Sequence, residues 1–324
     1  MQRRILLLAA AVSAGLAIGP AARAAAPTYA VLLKTLSNPF WDAMSQGISA
    51  GGKASGVAIF EQAAASDQAA EQELNICNTM LERKPAALIA SAINSSNLLP
   101  CMKQANAQHI PVVDLDANLD PAITAKAGVK IAFTIGSDNL AAGAKAADFM
   151  AARLGKTATG PVLVIEGLAG NITGEQRAQG FRTELAKVAP GLKVVASLPG
   201  DWDANKAANI TNDTLTRNPG LVAIFAANDT MALGAVESVF AAGKGGKIVV
   251  VGVDGTSAGV KSIKAGRLSA SVAQLPYLEG IEAVANVKKI LAGGSVPSVI
   301  HVPTVLLTQA VLKAGTNPLL KYVK

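Results

Sequence analysis

Short runs of β-branched residues alternate with longer alanine-rich stretches, and this alternation limits the fold more than any other feature of the sequence. The apolar residues of the longer stretches recur at helical spacing. The pattern is typical of repeated βαβ units, in which helices cover both faces of a parallel sheet. Strands are predicted near 29–36, 57–61, 86–91, 111–115 and 131–135, and in a second series near 161–166, 193–197, 221–226, 248–253 and 269–273.

Two such series predict an α/β protein with two doubly wound parallel-sheet lobes, because the chain exceeds the usual size of a single domain. Gly136–Ser137–Asp138 is the one candidate boundary between the series, and so short a connection suits a hinge. A last helix near 277–292 and a last strand near 301–307 must dock back onto earlier elements, so several crossings between the lobes are expected. The other helices are predicted near 40–54, 67–83, 97–107, 139–154, 174–188, 204–217, 230–242 and 257–265.

The first residues have the features of a secretory signal peptide, which we predict at 1–26. Two arginines precede an apolar run from Ile5 to Ile18, and alanine-rich triplets follow. A membrane helix needs about 18 or more apolar residues, whereas this run is shorter and is closed by Gly19–Pro20. The sequence therefore predicts an exported protein.

Charge and motifs argue against several classes of function. Without the arginines of the signal peptide the formal charge falls from +7 to +4, and the other basic residues are scattered, so nucleic acid is not an expected partner. Gly155–Lys156–Thr157 lacks the upstream glycine of a phosphate loop, and His109 and His301 lack metal-spaced partners. The segment 114–120 lacks the glycine of a calcium loop. No metal or cofactor is predicted.

The two cysteines, Cys77 and Cys101, occupy core-facing positions of successive predicted helices. Export would expose them to an oxidising compartment. The sequence leaves two alternatives open, a disulfide and a pair of buried thiols, since pairing requires Cα atoms within about 7 Å.

Polar residues follow several of the predicted strands, at the edge where open α/β sheets bind ligands. The first strand also leads into two adjacent aromatic residues, Phe40 and Trp41. From that segment alone, the two rings are explained equally well as core residues at a helix start and as rings that face a ligand. The polar residues at strand ends are Lys34, Asn38, Asp116, Asn228, Asp254 and Gln274.

A single Asp or Asn at a strand end is usually a turn former or helix cap, but caps need not converge as these groups on both series do. Trp202, the only other tryptophan, also follows a strand, and Arg177 lies early in the helix after strand 161–166. Planar apolar faces combined with carboxylates, amides and a guanidinium match a sugar.

With these residues in this order, the chain resembles periplasmic sugar-binding proteins of the ribose and allose type. The segments that carry the resemblance are Lys34–Trp41 (KTLSNPFW), Asp201–Asp203, Ala227–Gly234, Val251–Gly255 and Ala273–Pro276. The first of them looks closer to the allose-binding members. The resemblance implies that the hydroxyls and ring oxygen of a sugar bind Asn38, Asp116, Arg177, Asn228, Asp254 and Gln274. It also implies that Phe40, Trp41 and Trp202 sandwich the ring.

Three further positions bear on the identity of the sugar. Asn171 and Glu175 precede Arg177 in a way that looks allose-like, and we include both with Lys34 among the expected ligand-binding residues. Ala117 departs from the family, which usually carries a long polar residue after the position of Asp116. A contact with one hydroxyl is then absent or replaced by water, so the exact sugar stays open, with a pyranose preferred.

The resemblance implies a type I periplasmic binding protein with a hinge near Ser137, Gln274 and Pro303. The expected lobes are 27–137 with 275–303 and 138–274 with 304–324. The protein is expected to be a periplasmic monomer that delivers a neutral monosaccharide to the permease of an ABC importer. The alternative is a binder of a different sugar or polyol that presents it to a chemoreceptor.

Two other classes share parts of this pattern. A ligand-sensing transcription regulator has the same lobes but needs a DNA-binding helix-turn-helix at its N-terminus, where this chain has the predicted signal peptide. An exported enzyme would use Asp116 and Asp254 as an acid and base pair. The chain lacks fold-specific motifs for such an enzyme, so a binding protein is predicted.

Overall fold

The computed structural model describes residues 27–323, so the signal peptide predicted at 1–26 lies outside the described residues. No helix within 27–323 combines the length and the apolar character that crossing a membrane requires.

Two six-stranded sheets form the centres of the two lobes. Every strand pair is parallel except the antiparallel pair β10–β12. The first sheet has the order β11-β5-β4-β3-β1-β2 and contains β1 (Thr28–Leu33), β2 (Ala58–Ala63), β3 (Ala87–Ala90), β4 (Val112–Leu115), β5 (Phe133–Ser137) and β11 (Val299–Val302). The second has the order β12-β10-β9-β8-β6-β7 and contains β6 (Gly160–Glu166), β7 (Leu192–Pro199), β8 (Ala223–Ala226), β9 (Val249–Asp254), β10 (Ala270–Ala273) and β12 (Val305–Leu307).

Helices cover both faces of each sheet, and all the predicted ones are present. Three short elements, the helices at Pro121–Ala127 and Gln309–Ala314 and a terminal 3₁₀ helix at Pro318–Tyr322, were not predicted, because they are too short to show a helical period. The α-helices are α1 (Pro39–Ser55), α2 (Ala70–Leu81), α3 (Leu99–Ala107), α4 (Pro121–Ala127), α5 (Asn139–Leu154), α6 (Ile172–Val188), α7 (Ala204–Arg217), α8 (Asp229–Ala241), α9 (Ser257–Lys264), α10 (Pro276–Leu291) and α11 (Gln309–Ala314).

The first strand shows why these strands are almost continuously apolar. Successive residues of a strand point to opposite faces of the sheet. Val31 and Leu33 pack into the core beneath α1 and α10, whereas Leu32 packs into the core that contains α2 and α3. Since both faces are covered, neither set of alternating positions is free to be polar.

The chain passes between the sheets three times: after β5, after β10 and between β11 and β12. One predicted element is wrong in detail. The strand predicted at 301–307 is two strands in different sheets, interrupted at Pro303 and Thr304. The lobe bounds 27–137 with 275–303 and 138–274 with 304–324 remain a prediction, which the distribution of the strands between the sheets supports.

A disulfide links α2 to α3 on one face of the first sheet. Cys77 and Cys101 are both fully buried, with Cα atoms 6.2 Å apart, so of the two alternatives that the sequence left open the structure contains the bond. It closes a loop between residues 24 positions apart in the chain.

Removal of this disulfide is expected to lower the free energy of unfolding by about 3 kcal/mol, because the loop is no longer closed in the unfolded chain. The double variant Cys77→Ala with Cys101→Ala would be compared with the wild type by urea denaturation. A reductant should destabilise the wild type to the same extent and leave the double variant unaffected. Equal midpoints for the wild type and the variant would show that the bond does not stabilise the fold.

Candidate functional site

The carboxyl ends of the strands of both sheets face a cavity between the lobes. The structure brings all but two of the predicted site residues to this cavity; the two outside it are Asn171 and Glu175. The residues that line it are Lys34, Asn38, Phe40, Trp41, Asp67, Asp116, Thr173, Arg177, Trp202, Asn228, Asp254 and Gln274.

The end of β1 and the start of α1 form one wall of the cavity. Asn38 caps α1, because its Oδ1 accepts a hydrogen bond from the backbone nitrogen of Phe40 at 3.1 Å, and Pro39 follows at the first helical position. The rings of Phe40 and Trp41 meet edge to face with centroids 4.8 Å apart. Both rings are part of the first lobe's core and also line the cavity, so they are core residues at a helix start, and their contact with a ligand stays a prediction.

Asn118 connects Lys34 and Asp116, two of the charged residues with which this lobe lines the cavity. Its Oδ1 accepts a hydrogen bond from Lys34 Nζ, and its Nδ2 donates to Asp116 Oδ2 at 3.2 Å. The backbone nitrogen of Asp116 donates to Glu279 Oε1 at 2.9 Å. The other carboxylate oxygen of Asp116, Oδ1, is buried and has no hydrogen-bond partner within the described chain.

Arg177 organises the opposite wall. Its Nε donates to Asn139 Oδ1 at 2.8 Å, and its Nη1 donates to the carbonyl of Ala227 at 2.9 Å. The same Nη1 lies 3.5 Å from Asp254 Oδ1, which also accepts a hydrogen bond from Gln274 Nε2 at 2.7 Å. Gln274 Oε1 is a second buried acceptor for which residues 27–323 provide no partner.

Trp202 is held in a slot on this second wall. It has a positive φ of 62°, as does the preceding Asp201 at 52°, which forms an ion pair with Lys206. A methyl group at Gly167 would lie 2.2 Å from the indole ring, so only glycine leaves room for it. The ring is also 5.9 Å from the guanidinium carbon of Arg177.

Asn228 shows that capping and a place in the site are compatible. Its Oδ1 accepts a hydrogen bond from the backbone nitrogen of Met231 at 2.9 Å and caps α8. Since the cap uses the oxygen, the side-chain nitrogen is the polar atom that remains for a ligand.

Burial changes the ionisation of the charged groups. It lowers the pKa of Lys34 and raises that of Asp116, and each of these two groups opposes the shift of the other. Burial also raises the pKa of Asp254 to about 8, although the positive charge of the Arg177 guanidinium acts to lower it. The cavity thus combines two cationic side chains, Lys34 and Arg177, with three carboxyl groups, those of Asp67, Asp116 and Asp254.

Sequence reasoning missed Asp67 and Thr173. Asp67 follows β2 and lines the cavity with Trp41 and Asn38; burial raises its pKa. Its position after a strand is a signal for the site, but the sequence pattern places it at the start of the helix predicted at 67–83. Thr173 lies in the first turn of α6, where a hydroxyl carries no distinct signal.

Two predicted residues lie outside the cavity lining. Glu175 is exposed on α6, because residues two positions apart on a helix point to nearly opposite sides and Arg177 faces the cavity. Asn171 is buried, but its Oδ1 caps α6 and its Nδ2 donates to the carbonyl of Ile93. No cluster of three or more metal-ligating side chains occurs among the described residues.

The sequence of this chain is similar to those of known periplasmic binding proteins. The periplasmic binding protein domain family matches residues 29–295. The D-allose-binding periplasmic protein of Escherichia coli (strain K12) is 41% identical over 262 residues, which are 81% of this chain and 83% of that protein. The ribose import binding protein of Haemophilus influenzae is 35% identical over 95% of this chain and 100% of its own length.

Solved structures agree with these relatives. An ABC transporter periplasmic solute binding protein from Actinobacillus succinogenes 130z with bound D-allose has a TM-score of 0.84 at 34% identity and covers 89% of this chain and 99% of its own. One from Agrobacterium vitis bound with alpha-D-tagatopyranose has a TM-score of 0.83 at 29% identity, with 92% and 98% covered. The chain belongs to the periplasmic binding protein family.

Proposed function

We propose that the protein captures a neutral monosaccharide, as a pyranose, between its two lobes and delivers it to an ABC importer. Relatives named for D-allose and ribose, and solved relatives with bound D-allose and tagatopyranose, support this class of ligand. We also propose export to the periplasm through the signal peptide at 1–26. A monomeric binding unit is part of the same proposal.

One observation carries this proposal: two buried oxygen acceptors without partners border a cavity that is flanked by aromatic rings. Asp116 Oδ1 comes from the first lobe, and Gln274 Oε1 lies where the chain leaves the second. An unpaired buried acceptor costs about 1–3 kcal/mol, which a donor hydroxyl on the ligand removes. A sugar offers such hydroxyls next to an apolar C–H face.

The mixture of charged groups and the aromatic residues restrict the class of ligand further. Since Lys34 and Arg177 lie among carboxyl groups, an anion or a cation would meet like charges as well as opposite ones. Phe40 and Trp41 come from one lobe and Trp202 from the other. A sugar ring, whose C–H faces can pack against aromatic rings from both lobes, fits this arrangement better than a linear polyol.

Ala117 leaves the epimer open. It adopts a positive φ of 49° and does not line the cavity. The long polar side chain that resembling proteins carry here is thus missing, and a methyl group cannot replace its hydrogen bonds. We therefore propose an allose-like or ribose-like sugar rather than one named epimer.

Closure of the lobes is the mechanism that we propose. A ligand favours the closed state only through contacts that the open state lacks. A sugar that touches Asp116 on one lobe and Asp254 on the other makes such contacts. The closed form is then the form that the permease, or a chemoreceptor, would recognise.

Asp254→Asn is expected to weaken sugar binding by about 10-fold to 100-fold, because the amide replaces one of the two carboxyl oxygens with an NH₂ group that cannot accept a hydrogen bond. Isothermal titration calorimetry with D-allose, D-ribose and D-tagatose would measure it. Asp213→Asn, an exposed position on α7, is the matched control and should bind as the wild type does. Absence of binding heat for all three sugars with the wild type would reject the proposed function.

Sugar binding is expected to change the tryptophan fluorescence, since the only two tryptophans, Trp41 and Trp202, both line the cavity. The emission of the wild type, Trp41→Phe and Trp202→Phe would be recorded during titration with D-allose. Each single variant should retain part of the signal. A spectrum that stays constant while calorimetry shows binding would place the sugar away from both rings.

Gly167→Ala is expected to abolish high-affinity binding, because the added methyl group forces the Trp202 ring out of its slot. Gly220→Ala is the control, since a methyl group there meets no atom within 4 Å. Calorimetry would measure affinity, and thermal denaturation would show that both variants fold. Wild-type affinity in Gly167→Ala would mean that the position of the Trp202 ring is unimportant.

A further inference from the structure

We propose that Asn171 is a latch between the lobes, which strengthens sugar capture by holding the closed form without touching the sugar. The inference rests on the proposed function. It assigns to Asn171 a positioning role in place of the direct contact that the sequence predicted.

The latch consists of one buried hydrogen bond across the cleft. Asn171 lies between β6 and α6 of the second lobe, and Ile93 follows β3 of the first. Asn171 Nδ2 donates to the carbonyl oxygen of Ile93 at 3.0 Å, and the two residues are 0% and 2% exposed. Because the partners belong to different lobes, opening of the cleft separates them.

The second lobe fixes the orientation of the amide. Asn171 Oδ1 accepts hydrogen bonds from Thr173 Oγ1 and from the backbone nitrogen of Gly174, the latter at 3.2 Å. These bonds identify the oxygen as the capping atom, which leaves Nδ2 as the group that points at the other lobe. The donor is therefore in place before the lobes meet.

The first lobe fixes the acceptor in the same way. Glu73 of α2 is fully buried, and its Oε2 accepts hydrogen bonds from the backbone nitrogen of Ile93 at 3.0 Å and from Asn97 Nδ2 at 2.6 Å. These bonds hold the loop after β3, in which the Ile93 carbonyl accepts the hydrogen bond from Asn171. Glu73 is thus a second positioning residue, which acts through Ile93.

A second bond across the cleft provides a comparison. Gln68 Nε2 donates to the carbonyl of Asp201 at 3.1 Å, but this bond is exposed. Water competes for exposed partners, so the buried bond of Asn171 is expected to contribute more to closure.

Asn171→Asp is the primary test. The carboxylate keeps the capping oxygen of α6 but loses the donor and places a charge against the Ile93 carbonyl. The dissociation constants of D-allose and D-ribose are expected to rise on the order of tenfold together, with their ratio unchanged. Asn171→Ser, which keeps a capping hydroxyl but is too short to reach Ile93, should act in the same direction.

The controls distinguish the latch from general damage to the fold. Asn212→Asp makes the same substitution at an exposed position of α7 and should leave both affinities unchanged, and Gln68→Ala should have a smaller effect than Asn171→Ser. Stopped-flow tryptophan fluorescence would show faster sugar release in both Asn171 variants. Thermal denaturation without sugar would confirm that the variants fold.

Each contrary result has a distinct meaning. Wild-type affinity in Asn171→Ser and Asn171→Asp would overturn the latch and leave the proposed function intact. A changed ratio of the two dissociation constants would also overturn it, since it would place Asn171 in contact with the sugar. A wild type that binds none of the sugars would overturn the proposed function, and the latch with it.

Discussion

The closed cleft depends on the pairing of charged side chains within each lobe. A buried charge without a partner is costly, so the site could not close around Lys34 and Arg177 if a ligand alone had to satisfy them. Lys34 donates a hydrogen bond to Asn118. Arg177 donates hydrogen bonds to Asn139 and to the carbonyl of Ala227, and it forms an ion pair with Asp254. All these partners come from the same lobe as the charge that they satisfy. Each half of the site is therefore organised before the ligand arrives, and the ligand only has to complete it.

Sequence reasoning succeeded where periodicity and strand ends control the structure. The two sheets follow from the alternation of strands and helices, and Lys34, Asp116 and Asp254 follow from the rule that parallel strands meet at one edge. The direction of a side chain on a helix is harder to predict. The resemblance to allose-binding proteins places Glu175 among the expected ligand-binding residues, whereas the helix turns its side chain to the exposed surface. Hydrogen-bond partners distant in sequence, such as the carbonyl of Ile93, leave no local pattern.

The backbone at the site is strained at residues other than glycine. Asp116, Trp202 and Asp254 have φ values of 65°, 62° and 116°. L-residues with side chains avoid this region, so the surrounding hydrogen bonds must hold these conformations in place. All three of these residues line the cavity. This requirement on the backbone also explains why a short motif at each strand end carries so much of the resemblance to sugar-binding relatives.

The three passages of the chain between the sheets have a consequence for motion. A single tether would allow the lobes to twist, slide and bend independently. With three tethers, after β5, after β10 and between β11 and β12, twisting or sliding would strain at least one connection. Bending about one shared axis remains. The opening of the cleft then reduces to a single angle, so a receptor at the membrane needs to sense only that angle to distinguish a loaded protein from an empty one.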